Sequence, residues 1–179
     1  MRNMNPRFNR QQMHNMRNEG NTSPNIVATN MASTTTTTTP TSYKSLDQAL
    51  MMIYNAVQGE REDELFYDYL ISVAPTREEK DIITTIRDDE RKHNQMFRRI
   101  YQNFTGQQVP EPTEVNFVKP KSYLDGIKQA LFGELAAVEK YRDIRAGLPG
   151  QYYRDAVFEI LTDELKHATK YNYILTLNK

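Results

Sequence analysis

Two short stretches decide the fold: Asp-Glu-Arg-Lys-His at residues 89–93 and Asp-Glu-Leu-Lys-His at residues 163–167. They lie 74 positions apart, and the same offset relates earlier parts of the chain without a gap. It relates Gly59-Glu60 to Gly133-Glu134, Tyr67 to Tyr141, and Pro75 to Pro149. A repeat of this kind is typical of a structural unit that occurs twice and packs against its copy.

The first half of the repeat has the pattern of a helical hairpin. Apolar residues recur at mostly helical spacing over residues 45–104, and Ala74-Pro75 interrupts the run because proline is not tolerated inside a helix. Two patterns of the capping-box type, which begin helices, occur here: Ser45 with Gln48, and Thr76 with Glu79. We therefore predict one helix before the proline and a second helix after it.

The second half predicts a matching hairpin, with helices over about 122–146 and 151–177 and a turn at 147–150. No segment alternates between apolar and polar residues as a strand does. The sequence thus predicts an all-α domain over residues 43–179, an antiparallel four-helix bundle built from two repeated hairpins.

Residues 106–120 form a proline-containing linker between the hairpins. A helix of about 27 residues is about 40 Å long, and about 15 extended residues span about 50 Å. The linker can therefore run along the whole bundle. It could equally let two chains exchange hairpins, so a swapped homodimer stays open.

The repeat brings four glutamates to one level of the bundle. Glu60 and Glu90 lie at equal distances on either side of Pro75, and Glu134 and Glu164 have the same relation to Pro149. His93 and His167 follow Glu90 and Glu164 at the i+3 spacing that shares a helix face. Four buried carboxylates require compensation, and two divalent cations supply it. Carboxylate and imidazole suit iron or manganese.

Three further pairs at the same offset surround the predicted metal ligands. Metal-bound histidines usually donate their second N–H to a carboxylate, so Asp89 and Asp163 are expected to receive it across the hairpins; ordinary exposed acids are the alternative. Tyr67 and Tyr141 are expected either to donate to a ligand carboxylate or simply to pack. Gly59 and Gly133 are expected to allow close helix approach. No side chain beyond the metal centre is predicted to be catalytic.

Composition narrows the function. The 179 residues carry no formal net charge, unlike a dedicated nucleic-acid binder, and no apolar run is long enough to span a membrane. The absence of cysteine excludes disulfides and thiolate metal sites and is compatible with a cytoplasmic location. Residues 1–42 are low-complexity and predicted to be disordered, either as a solvated tail or as an arm that docks to a spore coat, shell or other assembly.

These motifs make residues 43–179 resemble the rubrerythrin branch of the ferritin-like superfamily. The resemblance implies a di-iron site in which Glu60, Glu134, His93 and His167 are terminal ligands and in which Glu90 and Glu164 bridge the irons. It also implies an oxidoreductase that reacts Fe(II) with H2O2 or O2, as a peroxide reductase or a ferroxidase. Separately, we expect the chain to form a homodimer.

The chain departs from that family pattern in two respects. Rubrerythrins proper carry a rubredoxin-like domain with four cysteines, whereas this chain has none, so an external electron donor is expected. The family's extra glutamate on the third helix is here Ala137, and Asp63, at the equivalent place on the first helix, is a candidate extra ligand. Two alternatives stay open: a metal-binding structural protein with little turnover, and a dimanganese, catalase-like protein.

Overall fold

The helical hairpins are present as the repeat predicts. A computed structural model describes residues 44–112, 115 and 117–179 of the chain. Over these residues it contains four helices and no strand: α1 Leu46–Val73, α2 Arg77–Thr105, α3 Tyr123–Gly147 and α4 Gln151–Leu177. The all-α prediction is confirmed. The predicted disordered tail, residues 1–42, lies outside the described residues.

Side-chain caps begin α1 and α2 where the sequence places them. Ser45 accepts a hydrogen bond from the backbone N–H of Gln48, and Gln48 accepts one from the backbone N–H of Ser45. Thr76 likewise accepts from the backbone N–H of Glu79. These bonds satisfy amide groups that the helix itself leaves unpaired.

Glu79 has a second role that the capping pattern does not predict. Its carboxylate is buried and accepts hydrogen bonds from the Tyr123 hydroxyl at 2.7 Å and from the Asn178 amide at 3.0 Å. Tyr123 begins α3, and Asn178 follows α4. The start of α2 is therefore tied to the ends of both helices of the second hairpin.

Adjacent helices of the bundle are antiparallel throughout. Helix α1 packs against α2 and α3, and α4 packs against α3 and α2. Two glycines show how closely α3 approaches α1: a Cβ atom on Gly126 would lie 2.6 Å from Leu70 Cδ2, and one on Gly147 would lie 2.5 Å from the Ser45 carbonyl oxygen. Because the start of α3 meets the end of α1, the linker must run the length of the bundle.

The prediction for Gly59 and Gly133 is wrong. Among the described residues, a Cβ atom on Gly133 would meet no atom within 4 Å, and one on Gly59 would meet only Asp63 of its own helix, at 3.6 Å. The two glycines leave open space beside the middle of the bundle instead of allowing helix contact. Close approach occurs at Gly126 and Gly147, whose counterparts in the first half, Met52 and Val73, are not glycines.

The hydrophobic core consists of two clusters, each with residues from all four helices. One cluster contains Ile53, Phe97, Ile144 and Ile160 among its buried members. The other contains Leu70, Ile83, Ile127 and Ile174. The polar residues predicted to bind metal lie in the chain between the two sets, so the core is divided by a polar layer. None of the described helices is long and apolar enough to cross a membrane.

Candidate metal centre

The polar layer between the two apolar clusters is made of histidine and glutamate. His93, Glu134, Glu164 and His167 are each at most 5% exposed. The side chain of Glu90 is 22% exposed. Charged groups are buried to this degree only when they are paired or coordinate a cation.

Four of the predicted ligands converge on one point. Glu90, Glu134, Glu164 and His167 each offer one ligand atom, and these atoms lie within 4.8 Å of one another. His167 Nδ1 is 3.0 Å from Glu90 Oε1, 3.8 Å from Glu134 Oε2 and 3.5 Å from Glu164 Oε2. One cation at the centre of this group could reach all four side chains.

His93 extends the group on its other side. Its Nδ1 atom is 3.2 Å from Glu164 Oε1 and 3.6 Å from Glu90 Oε2. Each of these two glutamates therefore directs one oxygen toward His93 and the other toward His167. This is the arrangement that two carboxylates need in order to be shared between two cations.

The same contacts shift the pKa of both histidines. Burial alone would lower the pKa of His93, but the Glu164 and Glu90 carboxylates raise it to about 10. Burial also opposes the charge on His167, and Glu134, Glu164 and Glu90 raise its pKa to about 12. Burial raises the pKa of Glu134 well above its usual range. Without metal, protons on these groups offset the negative charge of the layer.

The atoms that face the centre of the layer fit a pair of divalent cations. Glu90 Oε1, His93 Nδ1, Glu164 Oε1 and His167 Nδ1 are buried, and none has a hydrogen-bond partner in the described part of the chain. Buried polar atoms normally have hydrogen-bond partners, and atoms that bind an ion are one exception. Nitrogen and carboxylate oxygen are also the donors that iron and manganese favour. That the six residues bind metal stays a prediction.

The outer nitrogen of each histidine contacts an aspartate of the opposite hairpin. His93 Nε2 is 3.1 Å from Asp163 Oδ2, and His167 Nε2 is 3.1 Å from Asp89 Oδ2. Lys166 joins the two aspartates, with Nζ 2.6 Å from Asp163 Oδ1 and 3.0 Å from Asp89 Oδ2. Burial would raise the pKa of Asp89, but His167 and Lys166 lower it. The aspartates are thus held as charged acceptors that orient the imidazoles.

Lys166→Met is expected to weaken binding of Mn(II) or Co(II) about tenfold, because the aspartates then hold the histidines less firmly. The repeat offers a matched control in Lys92, which occupies the equivalent position but pairs with Glu159. Lys92→Met should change the dissociation constants by no more than about threefold, since exposed ion pairs contribute little. Competition titration against a chelator measures both variants. Equal effects would contradict the role given to Lys166.

The two tyrosines differ although their positions repeat. Tyr67 donates a hydrogen bond of 3.3 Å to Glu134 Oε1. No hydrogen bond among the described residues joins Tyr141 to Glu60, and the Tyr141 ring packs on Phe97 with centroids 5.0 Å apart. One tyrosine thus contacts a predicted ligand and the other has a packing role.

Glu60 does not join the converging group. Its Oε2 atom is 3.0 Å from Arg98 Nη2, and its side chain is 34% exposed. Sequence reasoning missed this arginine. The repeat held a signal, because the equivalent residue in the second half is the neutral Asn172. The two halves of the layer are therefore unequal at the terminal glutamates.

Two cavities adjoin the layer and share Asp63. One, of about 50 Å³, is lined by Asp63, Glu60, Glu90 and His93 among others. The other, of about 260 Å³, is lined by Asp63, Gly133, Ala137, Glu134 and Glu164 among others. Asp63 has a solvent-exposed side, yet desolvation of its carboxylate, followed by the charges of Glu90 and Glu62, raises its pKa to about 6. Both cavities thus border the layer at Glu90 as well as at Asp63.

Comparison with known proteins finds one protein family whose sequence pattern the chain matches. A family model described as Rubrerythrin matches residues 52–175, which include all six predicted ligands. No curated protein and no solved structure matches the chain at a significant level.

Proposed function

Because the chain belongs to the rubrerythrin family, we propose that the bundle is a di-iron carboxylate oxidoreductase that reacts Fe(II) with H2O2 or O2. One observation carries the proposal: Glu90 and Glu164 each direct one oxygen to each of two buried histidines. Such a centre can hold two redox-active ions close together with labile positions between them.

Each residue of the layer has a defined part in this proposal. Glu134 and His167 would hold one iron, Glu60 and His93 the other, and Glu90 and Glu164 both. Two Fe(II) ions held in this way would supply the two electrons with which H2O2 and two protons give two water molecules. The two apolar clusters would keep water from the two ends of the layer, and the Asp89 and Asp163 carboxylates would keep the imidazoles in place.

Asp63 is proposed to act at the cavities. Its carboxyl group lies where the oxidant would enter, beside Glu90, and can pass a proton to oxygen as it is reduced. Its other proposed role, as an extra ligand, uses the same position. The electrons that return the irons to Fe(II) are proposed to come from a separate donor, since the chain has no cysteine for a rubredoxin-type iron site.

Stopped-flow oxidation tests the reaction. Protein loaded anaerobically with two equivalents of Fe(II) is mixed with H2O2 or with O2, and Fe(III) absorbance is followed. We expect oxidation about tenfold or more faster than that of the same Fe(II) in buffer with at least one oxidant. The faster oxidant separates a peroxide reductase from a ferroxidase. Oxidation no faster than in buffer with either oxidant would contradict the proposal and favour a structural, metal-binding role.

Manganese is the second candidate, because the carboxylate and imidazole donors suit it as well as iron. Metal analysis of the purified protein, with an assay of peroxide dismutation, distinguishes a dimanganese protein from a di-iron one.

A cytoplasmic location, a homodimer and docking of the tail to a coat, shell or other assembly are further proposals.

A further inference from the structure

Arg98 breaks the symmetry of the layer on the side of Glu60. Besides its contact with Glu60, its Nε atom donates to Asn94 Oδ1 at 2.8 Å, and its Nη1 atom donates to the Val109 carbonyl oxygen at 2.9 Å. Nη2 is also 3.2 Å from Glu111 Oε1. The guanidinium is thus fixed by contacts at all three of its nitrogen atoms. Because Val109 and Glu111 belong to the linker, Arg98 holds Glu60 close to the linker.

The second half of the repeat has no equivalent of this arrangement. At the offset of the repeat, Asn172 replaces Arg98 and Ala168 replaces Asn94. Glu134, the counterpart of Glu60, is 5% exposed and lies within the converging group. Glu134 is therefore in place to bind a metal cation, whereas Glu60 is paired with the guanidinium of Arg98.

We propose that Arg98 withholds Glu60 from the metal centre, so that the two metal ions bind in order. The first ion occupies the position formed by Glu134, His167 and the shared Glu90 and Glu164, whose ligand atoms already converge. The second ion binds beside His93 and requires Glu60 to leave Arg98. This inference rests on the proposed two-metal function and adds an order of loading to it.

The strength of the Arg98 contact sets the expected difference in affinity. A hydrogen bond between charged groups is stronger than a neutral one, but the side chains of Arg98 and Glu60 are 26% and 34% exposed, so water screens the pair. The strength of a charged hydrogen bond, reduced by this screening, predicts that the second ion binds about tenfold more weakly than the first. Because Arg98 also binds Val109 and Glu111, the linker supports the withheld position of Glu60.

Anaerobic titration with Mn(II) or Co(II), followed by calorimetry and by Co(II) absorption, tests the order. The native protein should show two steps whose dissociation constants differ by about tenfold. Arg98→Met should bring the steps to within about threefold of each other by tightening the second. Arg98→Lys, which keeps the charge, should retain most of the separation. Arg99→Met, at the exposed neighbouring position, is the matched control and should leave both steps unchanged.

Two histidine variants test the order without altering Arg98. His167→Ala should remove the tight step, whereas His93→Ala should keep the tight step and remove the weak one. These variants test the order of metal binding even if Arg98→Met does not fold. Circular dichroism in the helical region would reveal such a failure to fold. Equal loss of the tight step in both variants would overturn the proposed order.

The outcomes separate this inference from the function beneath it. Two indistinguishable steps in the native protein would overturn the order of binding while leaving the two-metal centre intact. A weaker second step in Arg98→Met would also overturn it, because Arg98 would then orient Glu60 as a ligand instead of withholding it. Failure of the native protein to bind either metal would refute the proposed function itself.

Discussion

Glu164→Ala is expected to reduce bound metal from the proposed two ions per chain to fewer than one. Glu164 is 1% exposed, and its two oxygens lie 3.2 Å from His93 Nδ1 and 3.5 Å from His167 Nδ1. Its removal would take one donor from each of the two proposed metal positions at once. Loss of a terminal ligand would remove only one donor from one ion, so Glu134→Ala should retain more metal than Glu164→Ala.

Metal analysis after loading and extensive dialysis measures the loss. Glu139→Ala is the matched control, because Glu139 lies on α3 as an exposed glutamate paired with Arg142 and should leave the metal content at two. Glu164→Gln keeps the size of the side chain but not its charge, and we expect it to behave like the alanine variant. Retention of both ions by Glu164→Ala would show that this residue is not a shared ligand.

The metal-free protein is expected to lose several kcal/mol of stability as the pH rises from 6.5 toward 10. The folded protein raises the pKa of His93 from 6.5 to about 10 and that of His167 to about 12. A raised pKa contributes stability that is complete below the unfolded value and disappears as the pH passes through the folded value. Each pKa unit corresponds to about 1.4 kcal/mol. Urea unfolding in the presence of a chelator measures the decline.

Bound metal should oppose this loss of stability at high pH. Cations compete with protons for the imidazoles and carboxylates, so their affinity increases with pH. An ion present at about a thousand times its dissociation constant adds about 4 kcal/mol to the free energy of unfolding. The stability difference between loaded and metal-free protein should therefore widen with rising pH. A difference that stays constant between pH 6 and pH 9 would show that the two histidines do not exchange protons for metal.

The sequence predicts most of the fold because local signals govern it. Ser45 caps α1 and a proline follows the end of that helix, so the helix boundaries are close to those expected. The repeat offset likewise predicts that Glu90, Glu134, Glu164 and His167 meet, because identical hairpins bring equivalent residues to one level. The position of a residue along a helix depends only on its spacing in the sequence, so a single sequence is sufficient to predict it.

The remaining features depend on contacts between distant residues. The repeat implies equivalent roles for Glu60 and Glu134, yet Arg98 engages Glu60 from another helix, and no local pattern specifies that contact. Tyr67 and Tyr141 differ for the same reason. The interpretation of Gly59 and Gly133 failed because a shared residue was taken to mean a shared packing role, whereas these positions adjoin open space.

The division of the core has a consequence for the life of the molecule in the cell. Each apolar cluster draws on all four helices without using a predicted ligand, and Glu79 fastens three helices together at one end. We therefore expect the four-helix bundle to fold without a bound cation. Under the proposed function, metal loading would be a separate step that follows folding of the bundle.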